Sequence, residues 1–144
     1  MNAPTLRILN HSKNSVLTTS ATIARTPAAR LRGLIGVTEL EFQPGAGLFF
    51  PECNAIHTVQ MSMLIDVLFI DMVKRRVQKA VQHAEPGCHF NTRIPVQLCS
   101  VLELPAGVIE FTGTEPGDVI VIMSSGHSSE EELKGISMLW PSGV

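Results

Sequence analysis

The segment CNAIHTVQMSMLIDVLFID, Cys53 to Asp71, sets a thiol, an imidazole and a carboxyl in a mostly apolar run. Ionisable groups in such surroundings are costly unless they are paired, hydrogen-bonded or used. Cys53 stands four residues before His57, so a thiol nucleophile with an imidazole base is one chemistry these types allow. Asp66 could act as a general base or orient His57. Its structural alternative is to accept main-chain N–H bonds at a break in the chain, or to pair with Arg30 or Arg32. Cys53, His57, Cys88 and His89 form a set of soft ligands, but their spacing matches no standard site. No metal or cofactor is expected.

Whether these groups can meet depends on the element that carries them. Side chains alternate faces along a strand, so one straight strand from Ile56 to Asp71 would put His57 and Asp66 on opposite faces. Sixteen residues also exceed the usual strand of about 5–6. A break is therefore expected within Gln60 to Leu64, where an odd-residue bulge would reverse the parity and bring both side chains to one side.

Elsewhere the punctuation is that of a mainly β protein. LRIL and SVLTT flank the turn-like NHSKN and predict an opening hairpin. Pro27 to Ile35 predicts a short helix, with Pro27 in its first turn, Leu31, Leu34 and Ile35 at helical spacing and Gly36 as its stop. Val77, Lys79 and Val81 alternate in one strand; Val96, Leu98, Ser100, Leu102 and Leu104 share a face of another, which ends at Pro105 to Gly107. Glu103 has the opposite parity and is expected to be exposed or to line a mouth, in a structural role. The tail opens with a capping pair, Ser129 and Glu132, and carries Leu133, Ile136 and Trp140 as one apolar stripe. Such a helix could dock on the body or bind a partner.

Residues 1–144 are read as one domain, a mainly β sandwich or barrel-like fold with one or two short helices. The 44% hydrophobic and 17% charged content fits a packed core. A net charge of −2 argues against a general electrostatic grip on nucleic acid or an anionic membrane. The N-terminus shows no secretory h-region, and the longest apolar run is far short of the ~20 residues that span a bilayer. A soluble, cytoplasmic protein is expected. The three cysteines, an odd number without CxxC spacing, indicate neither a disulfide framework nor a zinc knuckle.

Together RLRGLIG, GAGLFF, CNAIHTVQMSMLIDVLFID, VLELPAG and EPGD resemble the bacterial and archaeal family known as domain of unknown function 192, in family order from about Arg25 to Ile122. The segment around His57 is similar to the branch with an Ile/Val-His-Thr sequence. The resemblance marks Arg30, Gly33, Leu34, Gly47, Cys53, His57, Thr58, Met61, Ile65, Asp66, Phe69, Glu103, Leu104, Gly107, Gly117 and Asp118. It implies a compact β-rich domain resembling a sandwich and no established activity. Three positions depart from the pattern: Ser62 and Val37 stand where basic residues are common, and Leu64 where proline is.

No phosphate loop, nucleophile elbow or HExxH motif occurs. The favoured expectation is a non-enzymatic binding or accessory module, its pocket near His57, Asp66, Arg30, Cys53, Thr58 and Met61, for an unidentified small molecule or protein partner. The alternatives are a small enzyme using a Cys/His/Asp constellation and an assembly protein using the C-terminal helix. The oligomeric state is left open.

Overall fold

The computed structural model describes residues 3–124. β1 (Leu6–Asn10) and β2 (Ser15–Ile23) form the expected antiparallel hairpin. The chain then leaves the sheet through α1 (Pro27–Arg32), whose first turn is closed by Thr26: its hydroxyl accepts the Ala29 N–H at 3.1 Å. The helix ends three residues short of the expected Ile35. Gly33 takes φ 50°, and its N–H donates back to the Ala29 carbonyl, so the stop is Gly33 rather than Gly36. Because this excursion crosses over, β3 (Gly45–Phe50) returns parallel to β2.

The long apolar segment breaks, but not by a bulge in one strand. β4 (Ala55–His57) and β5 (Ile65–Asp71) belong to different sheets, separated by a turn in which Gln60 has φ 67°. β4 pairs with β7 (His89–Asn91) in a two-stranded ribbon. β5 lies between β6 (Arg76–Ala84) and β8 (Cys99–Pro105), both antiparallel to it. A 3₁₀ turn, Val96–Leu98, precedes β8, so the expected strand begins at Cys99 rather than near Val96. A second short helix, α2 (Val108–Thr112), follows Gly107, and β9 (Ile120–Ser124) pairs with β1. The sequence reading placed its second helix in the tail, which lies outside the described residues, and did not foresee α2.

The main sheet has the order β6-β5-β8-β3-β2-β1-β9 and curls into a half-barrel. Its two edges meet at one end, where the Val77 N–H donates to the Asp118 carbonyl and the Gly117 N–H to the Val77 carbonyl, at 2.9 and 2.8 Å. Such contact removes part of the exposed edge that open sheets must protect. Two apolar clusters lie on opposite faces, as the strand period dictates. Ile8, Leu17, Phe49, Leu68, Leu102 and Ile120 fill the inner face. Leu48, Phe50, Val67, Phe69, Cys99 and Val101 point outward, beneath Leu34, Phe42, Met61 and Met63. β8 is thus buried on both sides, and every one of its residues is out of solvent.

Candidate functional site

Arg30 to Ile35, the end of α1 and the turns beyond it, arch over the outer face of the sheet and leave a cavity of about 190 Å³. Phe50, Cys53, the β4 residues Ala55 to His57, and Met61 complete its walls, and Glu103 reaches it from β8. Four of the six expected site residues, Arg30, Cys53, His57 and Met61, therefore share one hollow.

Arg30 is held in place by the main chain. Its Nη1 donates to the Pro51 carbonyl at 2.5 Å and its Nη2 to the Glu52 carbonyl at 2.8 Å. Those carbonyls flank a residue in the left-handed region, Glu52 at φ 48°, so the guanidinium pins a tight turn. Five N–H donors on a guanidinium leave three beyond these two bonds. Cys53 is buried; its main-chain N–H donates to the Cys99 carbonyl and its thiol to the Ala55 carbonyl at 3.2 Å. His57 is exposed at the rim, and its Nδ1 accepts the Val59 N–H at 3.2 Å, so the neutral ring carries its proton on Nε2. No hydrogen bond joins Cys53 to His57 among the described residues. The ring of His57 lies 5.9 Å from that of His89, its cross-strand partner. Cys53 and Cys88 do not join this pair in a group of three or more ligand side chains among the described residues.

Asp66 and Thr58 stand apart from the cavity. Asp66 has the parity of Leu68 and Ile70, which puts it on the inner face. There it is fully buried, and its carboxyl accepts three main-chain N–H bonds: His83 at 2.9 Å, Gly107 at 3.0 Å and Ile109 at 2.9 Å. Two of these donors open α2. The third lies beside the irregular register between β5 and β6, where His83 has φ 51°. The carboxyl and the His57 imidazole do not face a common hollow. Thr58, also buried, links two turns: its hydroxyl donates to the Glu85 carbonyl at 2.6 Å and accepts the Cys88 N–H at 2.9 Å.

Glu103 lines the cavity, one of the two placements expected for it, but it is not exposed. It is only 2% exposed, flanked across the sheet by Val67 and Leu48. Its Oε1 has no hydrogen-bond partner, and burial pushes its pKa up to about 8. A strand read as half-buried makes an off-parity acid look solvated; a central strand covered on both faces does the reverse. The signal that could have found it was the absence of any other polar residue between Ser100 and Pro105.

The positions that depart from the family pattern lie elsewhere. The Ser62 hydroxyl donates to the Val37 carbonyl at 3.2 Å, so the two places where basic residues are common are neighbours outside the cavity.

The sequence pattern of domain of unknown function 192, described as "Uncharacterized ACR, COG1430", matches residues 8–122. The chain belongs to this family. The match begins before Arg25 and takes in the opening hairpin. A protein of unknown function from Novosphingobium aromaticivorans DSM 12444 has a similar crystal structure, with TM-score 0.67 and 22% identity over 83% of this chain and 92% of that one. A Sinorhizobium meliloti 1021 protein, described as a "putative transcription regulator", is similar at TM-score 0.68 and 22% identity, over 86% of this chain and 95% of that one. At that identity the likeness speaks to the fold. A search of curated proteins finds no match. Among the described residues no helix is long and apolar enough to cross a membrane.

Proposed function

We propose that this chain is a non-enzymatic binding or accessory module whose ligand is a small molecule held in the cavity beneath α1. The observation that carries the reading is Glu103. A buried carboxyl oxygen without a partner costs about 1–3 kcal/mol, and native structures leave few such groups unexplained. A bound polar molecule supplies the missing partner. The surroundings suit it: apolar walls from Leu34, Phe50, Ile56 and Met61, with a few fixed polar groups. The volume, below the 300–1,000 Å³ of drug-sized sites, fits a compact ligand. The thiol and the imidazole are each engaged with the main chain rather than with one another, which favours binding over thiol catalysis. A cytoplasmic setting suits three free cysteines and forms part of the proposal.

A fragment screen by ¹H–¹⁵N NMR tests this reading. Compounds that bind are expected to shift the amides of Gly33, Phe50, Cys53 and Met61 together, and to lose affinity at least fivefold in Glu103→Gln. A screen whose only responses map to other surfaces would sink the cavity as the site.

A further inference from the structure

We infer that the ligand of this cavity is a compact zwitterion, its ammonium set against Glu103 and its anionic end against the Arg30 guanidinium. The inference rests on the binding-module reading and names its ligand class. The cavity pairs an acid with a fixed cation. At its base is a carboxyl whose Oε1 lacks any partner; on its wall is a guanidinium fixed by two main-chain carbonyls, with donors to spare. Arg32 adds a second cation to the lining. A purely cationic ligand would meet both arginines on the way in, and a purely anionic one would leave the buried acid unanswered. A molecule with both charges answers both groups, and Leu34, Phe50 and Met61 offer apolar surface to a short side chain between them. α-Amino acids have this pattern.

The buried acid at the base makes the idea measurable. The titratable or charged groups that line the cavity with Glu103 are Arg30, Arg32, Cys53 and His57, and its cross-strand neighbours Val67 and Leu48 are apolar. With no cation beside it, burial keeps the carboxyl protonated at neutral pH. An ammonium brought against it favours the ionised form, so binding expels the carboxyl proton to solvent while the amine, already charged, takes none up. Close to one proton is released per ligand at pH 7.

The experiment is calorimetric titration of the full chain with alanine, valine, leucine and methionine. Isobutylamine, isobutyrate and valinamide serve as single-charge controls, each in two buffers of different ionisation enthalpy. The expected result is binding of at least one amino acid at least tenfold tighter than its controls, with release of nearly one proton that disappears in Glu103→Gln. Tightest binding by isobutyrate or by a neutral fragment at the same amides, without proton release, overturns the zwitterion and leaves the cavity as a binding site. Amino acids binding with no change at Gly33, Phe50 or Met61 overturn it as well. A cavity silent to every probe overturns both readings. Because proton release is read on the native protein, the outcome stands even if Glu103→Gln does not fold.

Discussion

Two carboxyls of this chain are buried to the same degree and do opposite things. Asp66 has three N–H donors; Glu103 lacks even one for its Oε1. Truncating Asp66 to alanine strands all three amides and is expected to lower stability by about 3–4 kcal/mol in urea titration. Replacing Glu103 by glutamine should do the reverse at neutral pH. The unfolded carboxyl loses its proton near pH 4.3, whereas the folded one holds it to about 8. Between those values the unfolded state binds fewer protons, so wild-type stability falls as pH rises, by up to about 1 kcal/mol per unit, and levels off above pH 8. Glu103→Gln lacks this slope, and its advantage over wild type should widen from pH 5 to 8. The thiols also differ. Burial, then the nearby Cys53, push Cys99 up to about 11, so little thiolate forms at neutral pH. Mass spectrometry of the folded protein under iodoacetamide should find Cys88, the most accessible of the three, modified well before Cys99.

At the scale of elements, the decisive feature is the parallel pair β2–β3, which returns the chain from α1 and places the cavity roof over β8. The two strands close up at Gly47, where a Cβ would lie 3.0 Å from the Thr18 hydroxyl and 3.2 Å from the Ala21 methyl. A bulkier side chain must push the strands apart. Gly47→Val is expected to destabilise by about 1–3 kcal/mol, read as a lower urea midpoint with unchanged slope. α2 depends on a neighbour in the same way. Five residues long and begun at a left-handed Gly107, it has no side-chain cap of its own and takes Asp66 from β5 in that role. Its existence is a tertiary fact, which is why local pattern did not reveal it.

For the whole molecule, closure of the half-barrel is fastened by Asp118. Asn10 Nδ2 and Lys13 Nζ, from β1 and its turn, each donate to its carboxyl at 2.9 Å, and the Glu115 N–H donates at 3.0 Å. Burial alone would raise the pKa of this acid; the bonds from Asn10 and Lys13 outweigh it and hold the group below the usual carboxylate range. A carboxyl lowered on folding contributes stability that is complete above its unfolded value near 3.9 and is lost as pH falls through the folded one. Asp118 therefore contributes to the loss of stability below about pH 4, and Glu103 to the decline between about pH 4 and 8. Denaturation between about pH 3 and 9 should show Asp118→Asn flattening only the first and Glu103→Gln only the second. A single variant that altered both would contradict this division.

The amino-acid sequence by itself determined the class of fold, the opening hairpin, the start of α1, the existence of a break before Asp66 and the family. Each of these rests on short-range rules: alternation of side chains, proline and glycine geometry, and motif order. Four of the six expected site residues lie in segments that the cavity gathers, since Arg30 lies in the last turn of α1, Cys53 and His57 precede the break and Met61 lies within it. Only the tertiary structure decided that β4 and β5 belong to different sheets, that Asp66 looks inward and that Glu103 lies buried at the base of the cavity beneath α1. The face a strand residue meets is set by strands distant in sequence and by what covers the sheet. A period of two says that Asp66 and Leu104, or Glu103 and Val101, share a side, but not which side has solvent.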